Sequence, residues 1–304
     1  MIANAWYTVN YFHISFGVQD QLQRAISNLK LLENITVDEK KSVIVNKLVN
    51  STSKETIREL RYFDGEVPYR FLTPWFPHLK GNKKEIYLQS KTFQNDCLYS
   101  VDEKEVIINP KWVSYLTQHL SILRSFCYWH LSLYLQKYNP NVPDIPNKLI
   151  RRAVRSNLTK QRKEFWDVII QQAGPINCIY TDRQLTTGDY AVEHFLPYAF
   201  VSHDLIWNLI PADKIFNSSK SDKLPIWERH FEPYFQLQKL ALRTIWEINP
   251  AHKLLEDYLS IIPDLSALKE LDDEQLRIRF KDTVQPLITI AGNNGFEGLV
   301  WLSI

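Results

Sequence analysis

The 304 residues carry 36 Lys and Arg against 34 Asp and Glu, a formal charge of +2, so no net field draws the chain toward a polyanion and any grip on one must come from local clustering. An apolar share of 45% with only 8 glycines excludes collagen-like and largely disordered classes, and the length fits two ordinary domains or one elaborated one. The three cysteines, Cys97, Cys127 and Cys178, form no C-x-x-C pair, which excludes a disulfide framework and fits a reducing compartment.

The first residues, MIANAWYTVNYFHISF, lack the basic region and small-residue cleavage site of a secretory signal, and a cytoplasmic protein is expected. From Val18 to about Leu60 apolar residues recur at three- and four-residue spacing, which predicts two or three short amphipathic helices. Pro68, Pro74 and Pro77 are then expected to forbid long helices, while EIYLQS and the pair CLYS and EVIINP resemble short strands. A small α/β or winged-helix-like accessory module follows from that pattern. Trp112 to Lys137 reads as one long helix opened by Pro110, and its polar interruptions Gln118, His119, Arg124, His130 and Gln136 make it too polar to span a membrane. Most tryptophans, including Trp75, Trp112, Trp129 and Trp166, are read as core or helix-packing residues.

YNPNVPDIPN holds three prolines and sets the domain boundary near residue 145: an N-terminal recognition module over 1–145, and a second part over 146–304. Lys148, Arg151, Arg152, Arg155, Lys160, Arg162 and Lys163 follow with no acid before Glu164. Such a run is either a phosphate-gripping helix or a solvated face. Beyond Pro225, the stripe Phe231, Phe235, Leu237, Leu240, Leu242 and Ile245 predicts a helix, with further helical stretches after Pro250 and Pro263 that pack around the preceding segment. The terminal AGNNGFEGLVWLSI suggests a turn and a short closing strand.

Residues 178–225 carry the chemistry. A strand ending in Glu193 and His194, a loop, a second strand NLIP opened by Asn208, and a helix starting near Ala212 or Asp213 and bearing Asn217 make a β-loop-β-helix unit. An imidazole with an ordinary pKa of about 6.5 can take a proton from water, which makes His194 the candidate general base. The Glu193 carboxylate and the Asn217 amide oxygen are hard donors suited to Mg²⁺ or Mn²⁺, and Asn208 can brace the loop through the backbone. Lys220 and Lys223 lie where they would neutralise flanking phosphates or simply be solvated. His203 and Asp204 read as a solvated loop pair ahead of a second acid-base site, and Cys178 as a small core residue.

The acid-His pair followed by Pro197, the WNL with Asn208, and NSSKSDKLP with Asn217 resemble the HNH, or ββα-metal, endonuclease family, and in form the HNH domains of CRISPR effector nucleases. The resemblance implies an α+β, mostly helical fold with a ββα-metal core embedded in helices and an N-terminal α/β accessory module. It implies metal-dependent cleavage of nucleic acid leaving 5′-phosphate and 3′-hydroxyl ends, with His194 as base, Glu193 and Asn217 at the metal and Asn208 supporting the loop. Duplex DNA is the expected substrate and restriction or anti-phage defence the expected setting. Two features depart from the family. No second cysteine accompanies Cys178, so no structural zinc is expected; and Glu193 stands where Asp is commoner, its carboxylate about one methylene further out. A non-cleaving nucleic-acid-binding module and an effector switched on by a protein docking on residues 1–145 remain rival readings, and a homodimer would supply a second centre for the second strand.

Overall fold

The computed structural model describes residues 1–18, 20–102, 105–150 and 157–300. Within the first unit, Met1–Tyr11 with Ser15–Tyr138, four helices open the chain: α1 (Ile2–Asn10), α2 (Gln21–Leu32), α3 (Lys41–Val49) and α4 (Lys54–Leu72). The Asp20 carboxylate accepts from Leu22 N at 2.7 Å and the Ser53 hydroxyl from Thr56 N at 3.2 Å, which satisfies orphan amides where the periodic patterns begin. Leu22, Ala25, Ile26 and Leu29 bury the inner stripe of α2, at helical spacing.

Two expectations fail next. α4 runs on through Pro68, and EIYLQS lies in a helix, α5 (Lys83–Ser90), rather than a strand. An internal proline costs about 3 kcal/mol in a helix; α4 tolerates it because its end, Leu72, is fully buried with Phe76, Ile86, Cys97 and Tyr99. In α5 the Asn82 side chain caps Glu85 N, and Ile86 and Ser90, four apart, are the buried pair, so the period is helical. Pro74 and Pro77 each open a single 3₁₀ turn. The expected hairpin forms from β1 (Tyr99–Val101) and β2 (Val106–Ile108), antiparallel with Tyr99 opposite Ile108. α6 (Pro110–Tyr138) follows, opened by its proline as predicted.

The second unit holds Phe12–Ile14 and the chain from Asn139 onward. It begins with α7 (Ile145–Ile150), then a π-helical stretch, Gln161–Trp166, that continues into α8 (Asp167–Ala173). A hairpin of β3 (Ile176–Asn177) and β4 (Gln184–Leu185) precedes the central pair, β5 (Ala191–His194) and β6 (Leu209–Ala212). These two run antiparallel in the register Glu193 to Ile210 and His194 to Leu209, with α9 (Tyr198–Val201) in the loop between them. α10 (Lys214–Lys220), α11 (Trp227–Ile248) and α12 (Asp273–Asn293) complete the unit, with a 3₁₀ helix over Lys253–Ser260 between the last two.

The mostly helical α+β class expected from the sequence is the one observed. Its core lies where Phe195 stacks on Tyr234 at 4.0 Å and where Phe280 of α12 meets Tyr234, Phe235 and Tyr258. The closing strand expected near the C-terminus is a single parallel bridge from Gly298 to Leu224. Among the tryptophans, Trp166 is buried and Trp75 and Trp112 are half-buried, but Trp129 is exposed, contrary to the packing role expected for it.

Candidate active site

β5 delivers Glu193 and His194 at its end, where both side chains are buried. Successive strand residues point to opposite faces, so the pair divides its contacts. Lys220 Nζ donates to Glu193 Oε1 at 2.8 Å and to the His194 carbonyl at 2.9 Å, while His194 Nε2 lies 2.8 Å from Asp204 Oδ1. Because a carboxylate only accepts, Nε2 carries the proton in this pair and Nδ1 is the basic ring nitrogen.

The loop from Phe195 to Asn208 is closed by one side chain. Fully buried Asn208 accepts from Leu196 N at 2.8 Å and donates to Leu196 O at 3.0 Å, while Phe195 N donates to the Asn208 carbonyl at 2.7 Å. The helices beyond the motif then clamp the start of β6. Gln238 of α11 donates to the carbonyls of Ile206 and Leu209, Tyr234 to that of Trp207 at 2.6 Å, and Asp257 accepts from Ile206 N at 2.8 Å. Tyr258 in turn donates to Gln238 Oε1 at 2.6 Å. Every partner here is buried or half-buried, so little water competes for the bonds that close the loop.

α10 starts at Asp213, whose carboxylate accepts from Ile215 N and Phe216 N, both at 2.9 Å. Those bonds and Arg183 at 2.5 Å hold the Asp213 carboxyl below the usual range. Cys178 is a core residue whose Sγ accepts from Asp213 N at 3.3 Å, so it ties the end of β3 to the start of α10. Asn217 is three residues before Lys220, on the same side of the helix, and its Oδ1 is buried without a hydrogen-bond partner. An orphaned buried carbonyl of this kind calls for an ion or water. Glu193 and Asn217 offer hard oxygens of the kind Mg²⁺ prefers, but the Lys220 ammonium already holds Glu193 Oε1, so a divalent metal here would use Oε2 or displace Lys220. Among the described residues there is no cluster of three or more His, Cys, Asp or Glu side chains that could hold a metal by itself.

Residues 178–226 match the family model described as HNH endonuclease. The chain carries an HNH domain. The match begins one residue after β3 and takes in β4, the β5–loop–β6 pair and α10, the elements whose geometry is given above. No curated protein and no solved structure matches the chain.

Around the HNH domain the basic residues separate into groups. Lys160 and Lys163 are exposed, Lys160 with its ammonium 3.9 Å from Glu164, and Lys223 is half-buried. Arg162 is half-buried with its guanidinium 5.1 Å from the Tyr190 ring centre. Lys148 and Lys220, expected at phosphates, are instead internal: Lys148 donates to the Phe200 carbonyl at 2.5 Å and Lys220 holds Glu193. Burial lowers the Lys148 ammonium to about 7. Arg151, Arg152 and Arg155 lie outside the described residues.

Asp204 and His203 also differ from the solvated pair expected. Asp204 serves His194, and His203 packs against Trp207 with its pKa pushed down to about 4 by burial and by His194 beside it. The role of Asp204 was legible in principle, because a loop closed by Asn208 returns an acid four residues upstream toward the end of β5. Gln238 and Asp257 left no sequence signal at all.

Proposed function

We propose that this chain is a metal-dependent endonuclease that hydrolyses phosphodiester bonds of duplex DNA, with His194 as general base and one Mg²⁺ or Mn²⁺ held by Glu193 and Asn217. The observation that carries the reading is the buried, unpartnered Asn217 Oδ1 on the helix whose next turn reaches Glu193. A bound metal would supply Lewis-acid stabilisation of the phosphate charge and of the departing oxygen. The protein side of the reaction follows from the ring and its neighbours. Asp204 holds Nε2–H and orients the imidazole, and Nδ1 takes a proton from water. The oxygen of that water bonds to phosphorus as the bond to the 3′ oxygen breaks, and the 3′ oxygen is protonated from solvent, leaving 5′-phosphate and 3′-hydroxyl ends. Asn208 keeps the loop, and with it His194, in place. Exposed Lys160 and Lys163, with half-buried Lys223, supply positive charge for the DNA backbone. Restriction of foreign DNA or anti-phage defence is the proposed setting, supported by the motif resemblance alone.

Supercoiled plasmid incubated with the protein and titrated Mg²⁺ or Mn²⁺ tests the proposal, with RNA of similar length as the competing substrate. Nicked or linear product from the wild type, none from His194→Ala and none after chelation is the expected result. Plasmid bound but uncut at every metal concentration overturns it, and preferential cutting of RNA overturns the choice of DNA.

A further inference from the structure

α6 presents an apolar seam to solvent. Its 29 residues extend about 43 Å at 1.5 Å per residue, and from Lys111 to His130 none of them is buried. Tyr115, His119, Ile122, Phe126, Trp129 and Leu133 follow one another at intervals of four, three, four, three and four, the alternation of a coiled-coil seam. Ile122 is 67% exposed, Phe126 61% and Trp129 59%, with Tyr115 and Leu133 about half exposed. A helix that turns its seam outward is ordinarily covered, since a large contiguous exposed apolar patch marks an interaction site.

The chemistry of the seam selects the occupant. The residues flanking it, Leu116, Gln118, Leu123, Ser125, His130 and Ser132, include no Asp, Glu, Lys or Arg, so an identical helix meets no fixed like-charge repulsion there. Arg124, the charge nearest mid-helix, falls at the outermost position of the repeat, away from a paired helix. The exposed surface of the seam residues and of their flanks other than buried Ser132 totals roughly 800 Å² per copy, so that pairing which covers most of it approaches the contribution of each partner to a standard-sized interface.

We propose that α6 is the homodimer interface of this protein, pairing with α6 of a second copy along Tyr115, Ile122, Phe126, Trp129 and Leu133. The pairing does not depend on the nuclease reading, because it uses no residue of the HNH domain. Two copies joined in this way would carry two HNH domains.

Sedimentation equilibrium of the full-length chain tests it, alongside Ile122→Lys/Trp129→Lys and the control Arg124→Glu. The wild type and the control are expected to be dimers at micromolar concentration, and the double variant a monomer with an unchanged far-ultraviolet circular dichroism spectrum, since the substituted side chains are exposed. A monomeric wild type, a double variant that stays dimeric, or a control that dissociates would each overturn the proposal. Should the double variant lose helicity, Tyr115→Lys/Leu133→Lys provides the same comparison at the two ends of the seam.

Discussion

Asp204 Oδ1 accepts from His194 Nε2 across 2.8 Å, which fixes both the tautomer and the orientation of the imidazole at the end of β5. Partners of this kind act through the group they orient, and their loss typically lowers activity about 10–100-fold, against roughly 10²–10⁴ for the base itself. Asp204→Asn should therefore lower kcat by about that smaller factor with KM little changed, while His194→Ala abolishes measurable cutting. Equal loss in the two variants, or a fall confined to KM, would mean that Asp204 has another role.

Lys220 and Glu193 form a buried ion pair, the lysine side chain wholly enclosed. Removing one partner of a buried pair strands the other charge and costs about 3–5 kcal/mol, whereas removing both can be nearly neutral. Denaturant unfolding of Lys220→Met should show a loss of that size, and the double variant Lys220→Met/Glu193→Gln should recover most of it. A single-variant loss below about 1 kcal/mol would show that the pair is hydrated or already broken in solution.

Asn217 offers the opposite pattern. An unsatisfied buried carbonyl costs about 1–3 kcal/mol, so Asn217→Ala should leave the metal-free protein as stable as the wild type or more so. The same change should abolish the rise in Tm that Mn²⁺ gives the wild type through binding to the folded state. If Asn217→Ala destabilises the metal-free protein by more than about 1 kcal/mol, the Oδ1 atom has a partner in solution and is not waiting for a metal.

His230 and His203 set an acid limit. Burial, aided at His230 by Arg229 nearby, lowers both to about 4, and His230 Nδ1 accepts from Ile226 N at the start of α11. A base whose pKa is lower in the folded state contributes stability that is complete above its unfolded pKa of about 6.5 and is lost as pH falls toward 4. At about pH 5.5 each histidine should have cost on the order of 1 kcal/mol, or roughly 3 °C of Tm. His230→Asn should remove about half of the decline between pH 6.5 and 5.5; an identical decline in that variant would place the titration elsewhere.

How far the site could be read from the sequence depended on range. The order Glu193-His194, Asn208, Asn217 fixed strand, loop, strand and helix, because each element is set by neighbours within a few residues: alternation in β5, the Asp213 cap of α10, the polar bracket of Asn208. The helices α2, α3, α6 and α11 were legible for the same reason. The errors at Pro68 and EIYLQS arose where a local rule opposed a local core, and packing of Leu72 and Ile86 prevailed.

The sequence by itself determined the HNH domain, its β-loop-β-helix order, the acid-His-Asn set and the largely helical surroundings. Only the tertiary structure decided that Lys220 pairs with Glu193 and that Lys148 turns inward to Phe200, instead of both meeting phosphate. It also decided that Asp204 serves His194 and that α6 turns its seam to solvent. A basic or apolar side chain has the same chemistry on a surface as in a core, and which it occupies depends on partners 27 or 52 residues away along the chain, a distance that local spacing does not encode.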